Sequence, residues 1–293
     1  MAGVLVLVSR FLGSFVIMVL CYVLCASLLE LFIAPPPMRP ELAKVAAVAL
    51  SKVALLESIV LSLLVHVANW RGWRLALGIV VTHFGIETFM SQNETLYFLY
   101  AIKMPWPVFI STVSMGFLRA LLFAPMQVTL FGKWSGPSPK SPSPTIKPCM
   151  IALQTLLYVA IYYAFGYFVL WQFEEARVYY SQSSEILPFH LHMLNAIQND
   201  PWLIVYQVLR GPMWSMLTYL LVSITSTSVI GILVASLNLS VLLSVQLLFP
   251  NPYIPDAVCF AHLIELTTSM FTYGIVAGLL WRFSSTPSRV KSD

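Results

Sequence analysis

Apolar runs of membrane-spanning length recur along the whole chain, and this recurrence limits what it can fold into. Crossing a hydrocarbon layer takes roughly 20 mainly apolar residues. In lipid each backbone N–H and C=O must find its partner inside the segment, so such runs read as helices. Of the 293 residues, 59% are hydrophobic and only 10% are charged, with a mean hydropathy of +0.83. A soluble domain is roughly a quarter charged. The expectation is an all-α, polytopic transmembrane bundle of about eight spans, with the lipid bilayer as its first partner. A formal net charge of +4 without a dense basic run argues against nucleic acid. A protein partner or a homo-oligomer is allowed by the sequence and not indicated by it. The four cysteines, Cys21, Cys25, Cys149 and Cys259, lie in or beside apolar runs and read as small hydrophobes.

Span 1 is expected over 11–33, closed by Pro35, Pro36 and Pro37, which cannot continue a helix. Its apolar stretch exceeds a signal-peptide core and has no clean cleavage site after it, so it reads as a retained span. Residues 38–52 read as an interfacial helix, followed by span 2 over 53–69. Glu57 and His66 fall near the ends of that span, where snorkelling accounts for them. Span 3 is expected over 75–101, span 4 over 108–131 with a kink at Pro125, and span 5 over 149–173. Residues 174–200 are polar, with a short amphipathic helix over 187–197. Spans 6, 7 and 8 follow over 201–221, 222–249 and 257–281, with Gly211 and Pro212 marking a break in span 6. Seven of the tryptophans mark predicted span ends, as an interfacial belt does.

The organisation expected is a membrane half at 1–131, an exposed Ser/Pro-rich linker at 132–148, a second membrane half at 149–281 and a polar tail at 282–293. With the basic tail placed inside, Arg10, Arg71, Arg74, Lys133, Lys140, Lys147, Arg282, Arg289 and Lys291 fall on that side against Arg39, Lys44, Lys52, Lys103 and Arg177 on the other, so both termini are expected to be cytoplasmic. Short loops and the absence of organelle signals point to a bacterial or archaeal cell membrane. A weak echo relates Ser91-Gln92-Asn93-Glu94, Pro105-Trp106 and Leu118-Arg119 to Ser181-Gln182, Glu185, Pro201-Trp202 and Leu209-Arg210. It suggests a parallel repeat of spans 3–4 in spans 5–6.

Charge at membrane depth carries the functional reading. Glu87 and Arg119 each stand about a dozen residues into their spans, and Arg210 and Glu265 are also level with one another. Arginine does not deprotonate readily, so each guanidinium needs a carboxylate, water or carbonyls. The expected pairs are Glu87 with Arg119 and Glu265 with Arg210. They are read either as architecture or as the lining of a polar cavity that binds a substrate or ion. His83 with Glu87 (i,i+4) and His262 with Glu265 (i,i+3) each share a helix face and could offer two metal ligands. No three- or four-ligand signature is present, so metal and cofactor stay open. There is no phosphate-binding loop, dinucleotide fingerprint or nucleophile elbow. The function expected first is a transporter or solute-binding membrane protein with a charged intramembrane site. A membrane-embedded metal-dependent hydrolase or lipid-modifying enzyme is the second reading, and a structural or assembly subunit the third. An enzyme is the less favoured class.

Overall fold

A computed structural model of the chain describes residues 2–31, 40–136 and 144–284. The described residues are helical throughout, with no strand. Helices α1 (Ala2–Glu30) and α2 (Pro40–Val67) form the first pair. Helix α3 (Gly72–His83) passes without interruption into a π-helical turn (Phe84–Met90) and then into α4 (Ser91–Tyr97). Short α5 (Leu99–Ile102) leads to α6 (Trp106–Leu130) and α7 (Pro148–Phe168). Helices α8 (Glu174–Ser181) and α9 (Phe189–Asn199) cap one end of the bundle. Helices α10 (Pro201–Thr225), α11 (Val229–Ser244) and α12 (Asp256–Ser284) complete it. Six helices among the described residues are long and apolar enough to cross a membrane: those of α1, α2, α6, α7, α11 and α12.

Several boundaries differ from expectation for local reasons. The interfacial helix and span 2 are one helix, α2, because Pro40 occupies its first turn, where a missing N–H costs nothing. Glu57 is therefore mid-helix and fully buried, and snorkelling does not account for it; His66 is exposed. Helices α6 and α10 run unbroken through Pro125 and Pro212, so neither proline ends its helix. Helix α10, where the sixth span is expected to end at 221, extends to Thr225, and Ser226 takes a positive φ of 128°. The hydroxyl of Ser228 then accepts from the Gly231 N–H and caps α11.

The linker expected at 132–148 is not loose at its start; its residues 137–143 lie outside the described ones. Gly132 ends α6 in the left-handed region (φ 65°). The Lys133 N–H then reaches the Val128 carbonyl and the Gly132 N–H that of Thr129, a Schellman ending. This turn aims Lys133 at the C-terminal carbonyls of α2, with Nζ donating to His66 (2.9 Å) and Ala68 (2.7 Å). Trp134 packs edge-on against Trp73. The two copies of the sequence echo also differ: Ser91–Glu94 lies in α4, whereas Ser181 ends α8 and Gln182 is left-handed.

Small residues let the helices approach closely. A Cβ on Gly274 would fall 2.7 Å from the Ser236 Cα, and one on Gly211 would fall 2.9 Å from that of Thr155. Thus α12 lies on α11, and α10 on α7. The π-turn is wedged between α6 and α11, which brings Glu87 to the interior of the bundle.

Candidate functional site

The π-turn carries Glu87, and the Ser91 hydroxyl donates to the Glu87 carbonyl at 2.5 Å. Such turns occur mostly as single turns inside α-helices, frequently at functional sites. Gly116 of α6 faces it, and a side chain there would collide with Thr88.

Around Glu87 five other elements deliver polar groups. Arg119 from α6 donates through Nη2 to Glu87 Oε1. Gln246, from a short 3-10 turn after α11, donates to the same oxygen at 2.7 Å. Tyr22 from α1 donates to Glu57 Oε1 at 2.8 Å, and its ring lies 4.1 Å under the Arg119 guanidinium. With one oxygen of each carboxylate held in this way, the other oxygens face His83. The His83 Nε2 is 2.8 Å from Glu87 Oε2 and 3.7 Å from Glu57 Oε2. Glu57, His83 and Glu87 are all 0% exposed. Those three facing atoms have no partner in hydrogen-bonding geometry, although the closest approach has hydrogen-bond length. If both carboxylates are ionised and the imidazole is neutral, the cluster with Arg119 sums to one negative charge. A buried net charge is costly, so this cluster is suited to holding a proton or a cation.

A cavity of about 560 Å³ lies between α1, α2 and α6. Its wall runs from the exposed Glu30 to the buried Tyr22 and Arg119, with Gln246 and Phe249 beside them. Ala26, Ala46, Ala47, Leu50 and Met115 make the rest largely apolar. Tyr22, Arg119 and Gln246 thus stand between the cavity and the carboxylates.

Arg210 forms a second cluster, and its carboxylate is Glu94 rather than the expected Glu265. The Arg210 Nη1 is 3.0 Å from Glu94 Oε2, and it also donates to Gln207 Oε1 at 3.1 Å, while Nη2 donates to the Met90 carbonyl at 3.0 Å. Tyr158 donates to Gln207 at 2.7 Å, and Tyr206 to Asn93 at 2.5 Å. Glu265 instead approaches His262 at 3.8 Å, and His262 Nε2 meets the Tyr180 hydroxyl at 2.7 Å. The structure therefore joins His83, Glu87 and Arg119 and leaves Arg210, His262 and Glu265 in separate settings. Burial alone pushes the imidazole of His192, outside the spans on α9, below its usual range.

The sequence places none of Glu57, Tyr22, Gln246 and Glu94 at a site: Glu57 reads there as a snorkelling end residue and Glu94 only as part of the echo. For Glu57 the available signal was Pro40: a helix starting there places Glu57 at membrane depth. Tyr22 and Gln246 are ordinary in sequence and become part of the cluster only through packing. No family model matches the chain, and no curated protein or solved structure matches it either.

Proposed function

We propose that the protein is a multi-pass membrane protein that binds a solute in the cavity between α1, α2 and α6, as a solute-binding or transport protein. The observation that carries this reading is the cavity itself: an apolar wall ending on the Arg119 guanidinium, the Tyr22 ring and the Gln246 amide. Ligand sites are commonly apolar clefts of roughly 300–1,000 Å³ with a few polar groups that set orientation. The solute class that fits is an apolar molecule with an anionic or hydrogen-bond-accepting head directed at Arg119. The enzyme alternative is less well supported, because Glu57, His83 and Glu87 do not line the cavity.

The reading includes eight passes. Besides the six long apolar helices, the continuous 72–97 segment and α10 would each cross. Both are more polar because one face is packed inside, and both present an apolar stripe outward: Trp73, Leu77, Val81 and Phe89 on one, Trp202, Val205, Leu209 and Met213 on the other. The stripe on 72–97 steps by four residues and then shifts across the π-turn. The end with Arg10, Arg71, Arg74, Lys133 and Lys147 would face the cytoplasm of a bacterial or archaeal cell.

The test uses Ala46→Trp, which fills the cavity without touching the charge network. The full chain and this variant are purified in mild detergent, and bound small molecules are extracted and identified by mass spectrometry. An amphiphile held by the wild type at near stoichiometry and lost from Ala46→Trp is expected. Equal recovery from both, or none from the wild type, would overturn the reading.

A further inference from the structure

We propose that Glu57, His83 and Glu87 form a buried site for one divalent transition-metal ion of the zinc, manganese or iron type. The proposal does not rest on the cavity reading, since none of the three lines the cavity.

The geometry is that of a ligand set. One nitrogen and two carboxylate oxygens from these residues lie within 4.8 Å of one another. Zinc–ligand bonds of about 2.0–2.1 Å put neighbouring tetrahedral ligands roughly 3.4 Å apart. The two approaches to His83 Nε2, 2.8 and 3.7 Å, bracket that separation. All three facing atoms are buried; His83 Nε2 and Glu87 Oε2 touch at 2.8 Å without hydrogen-bonding geometry, and Glu57 Oε2 has no hydrogen-bond partner at all, an arrangement that costs free energy unless something joins them.

The surroundings of the two carboxylates match as well, whereas the His83 Nδ1 is buried without a partner. A ligating carboxylate is ordinarily held by outer hydrogen bonds that orient it. Here Tyr22 holds the outer oxygen of Glu57, and Arg119 and Gln246 hold that of Glu87. His83 and Glu87 share one face across the start of the π-turn, and Glu57 comes from α2, so an ion would tie these two helices. The imidazole selects the metal class: alkaline-earth ions take oxygen ligands, whereas a nitrogen with two carboxylates suits zinc, manganese or iron. A divalent ion turns the cluster's formal charge from −1 to +1, next to the floor of the cavity. Because the ligands are sealed from solvent, the ion is taken up as the bundle assembles and exchanges slowly.

The decisive measurement is metal content of the full chain, expressed in medium containing zinc, manganese and iron, purified in detergent and washed with chelator. About one equivalent of one of these metals per chain is expected. Glu57→Gln and His83→Asn should lower it by at least about tenfold, while Glu265→Gln, outside the cluster, should retain it. X-ray absorption at the metal edge of the wild type should show a nitrogen/oxygen shell with imidazole scattering, which keeps the test valid if a variant fails to fold. A wild type without stoichiometric metal would overturn the proposal. So would metal retained by both cluster variants, or an absorption spectrum without imidazole.

Discussion

At the scale of the residue, Arg119 and Arg210 each meet a carboxylate, Glu87 and Glu94. Arg119 is 3% exposed and Glu87 is 0% exposed, so each depends on the other. Arg119→Met should cost about 3–5 kcal/mol, because it strands carboxylates in a dry setting. Adding Glu87→Gln to it should recover much of the loss, since an apolar and a neutral side chain then replace an ion pair. Reversible unfolding in mixed micelles measures both; a single variant as stable as the wild type would break the pairing argument. Lys133 behaves differently because it lies outside the spans. Burial, and next the nearby Arg71 and Arg10, push its amine down to about 8. Below that pH both folded and unfolded chains carry the proton, and the cost of holding the charge in the turn is felt in full. As pH rises from 8 towards the ordinary lysine range, the unfolded chain binds the proton and the folded one does not, so stability rises. The neutral amine keeps two N–H donors for the His66 and Ala68 carbonyls. Melting temperature between pH 7.5 and 9.5 should therefore climb more steeply in the wild type than in Lys133→Met; parallel curves would refute this.

At the scale of the element, the π-turn and α6 are fitted to one another. Gly116 leaves the space that Thr88 occupies. Gly116→Ala should lower stability by about 1–3 kcal/mol through overpacking, and Thr88→Ala in the same chain should restore part of it, since the Thr88 Cβ, 2.8 Å from the added methyl, remains. If Gly116→Ala is neutral and the double variant is no better, the two helices are not in the contact described. The turn was legible only in part. The sequence places Glu87 inside an apolar run and His83 one turn before it, which marks the segment as special. Nothing in Phe84-Gly85-Ile86-Glu87-Thr88-Phe89-Met90 announces wider winding, because that winding is set by what α6 and α11 press against it. Boundaries followed the same division. Pro40 and the Gly132 ending are local signals, while the continuity of α6 and α10 through Pro125 and Pro212 runs against what a proline signals in isolation.

At the scale of the whole molecule, the eight-pass reading has a direct consequence: positions 183 and 227, on either side of α10, lie across the membrane from one another. With the exposed Cys149 replaced by serine, Ser183→Cys and Thr227→Cys in intact cells or sealed vesicles should react with an impermeant maleimide from opposite sides. Labelling from the same side would remove α10 from the crossings. The sequence by itself determined the class, an all-helical chain with recurrent membrane-length segments, because the bilayer demands long apolar runs whatever they pack against. It also exposed His83, Glu87, Arg119 and Arg210, since charge in such runs stands out against lipid. Only the tertiary structure decided the partners. Helix depth alone matched Arg210 to Glu265, but depth is one coordinate, and helix rotation turns Arg210 towards Glu94. Likewise Glu57 reaches His83 only because α2 lies beside the π-turn, with Tyr22 and Gln246 holding the outer oxygens in place. Those contacts join residues far apart in the chain, and their geometry comes from close packing of small residues between helices, which no single segment encodes.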